Sequence, residues 1–380
     1  MPRIDPSTTI GVNQIDYLST MNTGLLMQSV LPTLTNTFNL SRYCCIFAAV
    51  FLLAPVKADI FAINADYETP PVITSGDAAD DPAIWANFKN PKNSLIFGTD
   101  KKSGLYVYSI YGKELAYRKF GNINNVDVRE INDEIFLAGT NRSTQEVVVW
   151  KFSYRDLDSF TKGTYLPDPY LTARSDINIY GLCTGLINNN LHVFVTEDMG
   201  SNVQVWKIED SGLTLVDTFS NQGESEGCVV DDYHKRLFIS EEENAGVMRS
   251  YELSSMDYLK ESVIDTREGN IGGDPEGITL YQTSESEGYI ILSSQGDSKY
   301  NIYDRVTPHS YLGSFRIVGD GRVDGASDTD GLDVANIRVP GKFQKGFLVV
   351  QDGFNTDRTD VMNQNFKIVD FKKVLDSLTK

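Results

Sequence analysis

Residues 324–333 read DGASDTDGLD, four aspartates in ten positions with no lysine, arginine or histidine among them. Carboxylates crowded this closely repel one another unless a cation relieves them. Similar oxygen donors recur at Asp80-Asp81, Asn125 and Asp127, Tyr180, Glu226, Asp274 and Glu276, and Asp328 with Asp330. Carboxylate, amide and hydroxyl oxygens without clustered His or Cys suit calcium rather than zinc or copper. The stretch 324–333 lacks the D-x-D-x-D-G spacing and closing Glu of an EF-hand, so a cation site has to be assembled from distant segments.

The segments that carry these residues repeat. A strand opening on acid or amide appears as DDPAIW (80–85), NNVDVR (124–129), IYGLCTG (179–185), SEGCVV (225–230), DPEGITL (274–280) and DTDGLDV (328–334). Each is followed by a strand closing on a small residue and a polar turn, as in LIFGTDKKSG (95–104), FLAGTNRST (136–144) and VFVTEDMGSN (193–202). A third strand with an aromatic comes next, such as LYVYSI (105–110) or VQVWKI (203–208). Six repeats of about 50 residues, rich in β-branched and aromatic runs, predict an all-β, six-bladed β-propeller. The third repeat, 176–208, is the least regular, and the final FKKVLDSLTK reads as a terminal helix. In a propeller the first strand of each blade lines the channel, so the acidic openings converge at one end of the axis.

The turns after the second strands carry Lys101-Lys102 and Arg142, with Glu242 and Gln295 at the same phase in later repeats. Lysine and arginine beside an acidic, cation-filled cluster suit a ligand rich in negative oxygens, phosphate above all. With 34 basic and 52 acidic residues the chain has no basic surplus with which to bind nucleic acid.

Arg42 is followed by YCCIFAAVFLLAPVKA, an apolar run of signal-peptide length ending in Val56-Lys57-Ala58. Residues 1–58 are therefore expected to be removed, leaving a single domain at 59–380 without stable membrane insertion, secreted or periplasmic. The mature chain keeps 31 basic and 50 acidic side chains and two cysteines, Cys183 and Cys228. In an oxidising compartment these can pair, but the sequence does not show that they meet.

SGDAADDPAIW, TDKKSGLYVYS, NNVDVR, NRS, SEG, DPEGITLY, SSQGDSKYNIYDR, SDTDGLDV, QDGFN and NQNFK occur in this order between Glu68 and Phe371. Together they resemble the β-propeller phytases. The resemblance implies a six-bladed propeller that hydrolyses myo-inositol hexakisphosphate (phytate, or its calcium salt) with several calcium ions, a calcium-held water attacking phosphorus; the chain is expected to be a monomer. It implies calcium ligation by Glu68, Asp80, Asp81, Tyr180, Glu226, Glu242, Asp274, Glu276, Asp324 and Asp330, with Asn125 and Asp127 nearby. Catalysis is expected of Lys101, Lys102, Arg142, Tyr180, Glu226 and Asp324, with Lys101, Lys102, Arg142 and Gln295 contacting substrate. Where the family pattern has Lys-Glu after the blade-three strand, this sequence reads Glu197-Asp198-Met199. A calcium-stabilised propeller that binds an anion without turnover, or a propeller lactonase, shares the acidic channel. The lactonase has no reason to keep Lys101, Lys102 and Arg142.

Overall fold

A computed structural model describes residues 60–243, 245–254 and 261–379, and the expected signal segment lies outside them. Six antiparallel sheets follow one another along the chain as the blades of a β-propeller. Their first strands are Ala79–Trp85, Ile123–Ile131, Ile179–Ile187, Ser225–Asp231, Pro275–Gln282 and Leu332–Ala335. Each packs against the first strand of the next blade, and the sixth returns to the first, so the six ring a common axis. Apolar clusters fill the spaces between blades, as with Trp85, Phe97, Trp150 and Phe152 between the first and second.

The start of the described chain closes the ring. Tyr67–Glu68 forms the outermost strand of the sixth blade against Asn365–Asp370, with Glu68 opposite Lys367. Ile60–Asn64 adds in parallel to Tyr311–Val318 and gives the fifth blade a fifth strand. The expected terminal helix is present at Phe371–Ser377, where the Asp370 side chain caps it by accepting from the Lys372 backbone N–H. The third blade, expected to be the least regular, is instead a complete four-stranded sheet, Ile179–Ile187, Asn190–Glu197, Asn202–Glu209 and Gly212–Ser220. Its first strand opens on Tyr180-Gly181 rather than on acid, which hides the repeat in the sequence. Departure from regularity falls on the sixth blade, whose first strand has four residues and whose loop after Asp352 carries the hairpin Thr356–Asp357 with Asp360–Val361.

One backbone device sets the phase of the acidic residues. In the first five blades the register of the first strand slips near its start, between Ala79 and Pro82, Ile123 and Val126, Ile179 and Leu182, Ser225 and Cys228, and Pro275 and Ile278. Each slip is a β-bulge, which re-aims side chains without ending the strand. The residues inside are Asp80-Asp81, Asn124-Asn125, Tyr180-Gly181, Glu226-Gly227 and Glu276-Gly277. The small residue that closes each second strand serves the bulge. Thr99, Thr140 and Thr196 accept from the backbone N–H of Asp81, Asn125 and Gly181 at 2.9, 3.2 and 2.8 Å. Thr140, Ser240 and Ser293 also donate to carbonyls of the following blade, at Tyr180, Glu276 and Thr329. Glycine is required where neighbouring bulges touch, because a Cβ on Gly181 or Gly227 would lie 1.9 or 2.1 Å from the carbonyl oxygen of Glu226 or Glu276.

Cys183 and Cys228 are joined in a disulfide between the first strands of blades three and four. The cross-link spans 45 residues of sequence. Restricting the unfolded chain over a loop of that size contributes about 2–4 kcal/mol. The Cys183→Ser, Cys228→Ser double variant should lose that much in urea unfolding. It should also lose the response of the wild type to reductant; unchanged unfolding would rule out the stabilising role.

Candidate active site

At the mouth of the channel, Asp80, Asn124, Tyr180, Glu226, Glu276 and Asp330 come together from the six blades. Asp330 precedes the short sixth strand, with its backbone N–H donating to Gln351 Oε1 at 2.9 Å. Glu226, Glu242 and Glu276 each place one oxygen within 4.8 Å of the others. Glu276 Oε2 and Glu242 Oε1 are buried without a hydrogen-bond partner. Burial and the neighbouring carboxylates Glu226, Glu224 and Asp274 push Glu242 up to about 9. Burial and Glu242 drive Glu276 well above the carboxylate range. Asp80 reaches about 8 through burial and Glu226, only partly offset by Lys101, and burial carries Asp330 to about 7. Orphaned oxygens and destabilised negative charge are what a bound hard cation relieves, so the donor set fits calcium.

Two cations stand among these acids. Lys101 Nζ reaches Asp80 Oδ1 at 2.8 Å, Asp77 Oδ1 at 3.0 Å and Asp330 Oδ2 at 3.1 Å. Burial alone would lower its pKa, but these carboxylates and Glu226 more than reverse that and hold it protonated. Arg142 donates from Nη1 to Asn124 Oδ1 at 3.1 Å and from Nη2 to Asp198 Oδ2 at 2.6 Å. Its guanidinium carbon lies 5.1 Å from the centre of the Tyr180 ring. Asn124 donates to Asp80 Oδ2 at 3.2 Å and to Glu226 Oε1, tying both carboxylates to the arginine's hydrogen-bond network. Gln295 donates to Asp330 Oδ1 at 2.5 Å. A cleft of about 590 Å³ opens beside them, lined by Asp77, Gln295, Asp328, Asp330, Phe354 and Gln364.

The remaining expected residues are distributed elsewhere. Asp81, Asn125 and Asp127 line the channel itself, a cavity of about 440 Å³ that also holds Arg129, Thr279 and Asp333. Asp127 does not turn toward the mouth; its carboxylate accepts from the Thr184 backbone N–H and hydroxyl at 2.7 and 2.6 Å and braces blade two against blade three. Asp274 pairs with Arg267, and Lys102 is exposed, its ammonium 3.3 Å from the Ser75 carbonyl. Asp324 and Glu68 form a second acidic group on blade six. There the fully buried ammonium of Lys367 meets Glu68 Oε2 at 2.6 Å, Asp352 Oδ2 at 3.2 Å and Asp324. Asp324 also accepts from the Thr356 N–H and hydroxyl at 2.6 and 2.9 Å. The expectation that Asp324 and Asp330 share one cation cluster is therefore not met: they stand six positions apart, and the chain turns them toward different partners. Asp328 has φ of 44° and serves the turn.

Asn124, Asp77 and Lys367 carry no role in the sequence reading, and Asp198 stands there only as a departure from the family pattern. Asn124 was available from the pattern, since it stands at the phase of Asp80 and Glu226 once the bulge is recognised. Lys367 was not, because nothing in a strand-phase lysine signals three carboxylates around it. The histidines stand apart from the mouth: His192 and His309 bond backbone carbonyls, and His234 bonds Asp231.

A model of the phytase family matches residues 35–380. The chain belongs to the phytase family. A 3-phytase of Bacillus subtilis (strain 168) is 35% identical to this phytase over 333 residues, covering 84% of this chain and 86% of that protein. The span that the family model matches takes in the mouth residues of every blade and the blade-six group alike.

Proposed function

We propose that this phytase hydrolyses phosphomonoesters of myo-inositol hexakisphosphate at the channel mouth and depends on calcium there. The observation that carries this reading is the convergence of Glu226, Glu242 and Glu276 oxygens within 4.8 Å, two of the carboxylates with unpartnered buried atoms, beside Lys101 and Arg142. Glu226, Glu242, Glu276, Asp80 and Asp330 would hold the ions, with Tyr180 beside them. Calcium, when bound, supplies positive charge to the phosphoryl oxygens and makes a nearby water more acidic.

The chain's own groups do the rest. Lys101 and Arg142 bring fixed positive charge to the mouth, and Asn124 holds the guanidinium through Nη1 while the Tyr180 ring lies against it. Gln295 and exposed Lys102 stand at the rim, where neighbouring phosphates of a polyphosphorylated ring can reach them. Glu68 and Asp324, gathered by Lys367, support the fold from blade six. Export is supported by the buried Cys183–Cys228 disulfide, and no helix among the described residues is long and apolar enough to cross a membrane.

The test is release of inorganic phosphate from phytate in calcium buffer and again in excess chelator. Release with calcium and none in chelator is expected. Full activity in chelator would remove calcium from the reading, and calcium-dependent binding without release would leave a binding module.

A further inference from the structure

The Arg142–Asp198 ion pair at the mouth is a feature that phosphate binding leaves unexplained. Arginine grips a phosphoryl group best with two parallel N–H groups. Here both terminal nitrogens already donate, Nη1 to Asn124 Oδ1 and Nη2 to Asp198 Oδ2. Asp198 is itself held, since Asn178 Nδ2 donates to the same Oδ2 at 2.8 Å and the Asp198 N–H donates to the Asn178 carbonyl at 2.7 Å. The pair lies at the solvent edge, with the arginine side chain 31% and the aspartate 19% exposed. A second carboxylate, Glu224, accepts from Met199 N at 2.9 Å on the same turn.

We propose that Asp198 is a built-in competitor for Arg142, which an incoming phosphoryl group must displace, and that it sets this enzyme's affinity for substrate. The proposal rests on the phosphate-binding reading of the mouth. Asp198 is not the arginine's only partner, because Asn124 accepts from its Nη1 and the Tyr180 ring lies against its guanidinium carbon at 5.1 Å. What Asp198 adds is a negative charge that cancels the guanidinium's attraction for an anion. The displaced carboxylate keeps its bond from Asn178 Nδ2 and its access to water, so displacement costs little more than the ion pair itself. A partly exposed pair of this kind corresponds to about a three- to fivefold change in affinity.

The experiment compares wild type with Asp198→Asn and Asp198→Ala, each also placed in an Arg142→Ala background. In calcium buffer both single variants should lower KM for phytate about three- to fivefold with kcat and melting temperature nearly unchanged. In the Arg142→Ala background the same substitutions should have no effect on KM. A raised or unchanged KM in the single variants would overturn the proposal, making Asp198 a support for the arginine or a bystander. An equal drop in KM without Arg142 would overturn it too, as a general charge effect. Calorimetric binding of a sulfate-ester analogue of the substrate, which cannot be hydrolysed, is measured in parallel. If no variant releases phosphate, the hydrolytic reading fails, while tighter analogue binding by Asp198→Asn still bears out the competitor and unchanged binding still refutes it.

Discussion

Stripped of divalent cations, the protein should lose stability as the pH rises from about 4 to about 9, the reverse of ordinary acid denaturation. The carboxyls responsible are Asp330, Asp80 and Glu242, held at about 7, 8 and 9 by burial and by one another. In the unfolded chain each titrates near the ordinary carboxylate value of about 4. Between these values the folded state carries more protons than the unfolded state, so each step up in pH favours unfolding. Their stabilising contribution is complete below about 4 and is lost as pH passes through the folded values. Calcium changes the sign, because an ion ligated by these oxygens stabilises their charged forms and binds more tightly once they are deprotonated. Thermal unfolding of chelator-treated protein between pH 5 and pH 9, repeated with added calcium, checks this. The calcium-induced rise in melting temperature should grow with pH, and a constant or shrinking rise would show that the mouth carboxylates are not the ligands.

Asp231→Ala should cost about 3–5 kcal/mol, the price of an unpaired buried charge. Asp231 and Arg305 are both fully buried and join in two bonds of 2.6 Å, Nε to Oδ2 and Nη2 to Oδ1. His234 adds Nδ1 to Asp231 Oδ2 at 2.9 Å. Arg305 also donates from Nη1 to the carbonyls of Ser284 and Glu287 at 3.3 Å, so the pair links blade four to the connection between the first two strands of blade five. Burial pushes the Asp231 carboxyl up, but Arg305 and His234 more than offset it and hold it below the usual range. Its contribution is therefore present above the unfolded value and lost as pH falls through the folded one, opposite to the mouth carboxylates. Removing the carboxylate leaves a guanidinium with no water to turn to. The double change Asp231→Leu with Arg305→Met removes both charges and should cost less than the single change. Urea unfolding measures both, and a single-variant loss under about 1 kcal/mol would show that water reaches the arginine.

These two groups of acids are chemically alike in the sequence, and only their surroundings separate them. Asp231 follows the Cys-Val-Val run of a strand that opens on Glu226, five residues earlier, yet one acid is paired with a buried arginine and the other crowded by carboxylates. The partner of Asp231 is 74 residues away, beyond the reach of any local pattern. Asp324 and Asp330 make the same point in a shorter span. Their spacing looked like one site, but a turn at Asp328 sends one to Lys367 and the other to Lys101.

The repeating pattern of residues specified the all-β class, the six-fold repeat and the phase at which acid or amide opens each first strand. Alternation and turn residues encode these locally, and a blade cannot bury its faces except against another blade. It also determined that Lys101 and Arg142 lie beside that acid, because they follow it at a nearly constant distance along the repeat. Which oxygens meet is set by how the blades pack. The bulge at the start of blade two's first strand selects Asn124 over Asn125 for the mouth and turns Asp127 toward Thr184. Closure of the ring by Tyr67–Glu68 brings Glu68 to Lys367, 299 residues away. Arg142 meets Asp198 because blades two and three lie side by side, 56 residues apart in the chain. Such contacts depend on the angle and register between blades, which the packing of all six sets together.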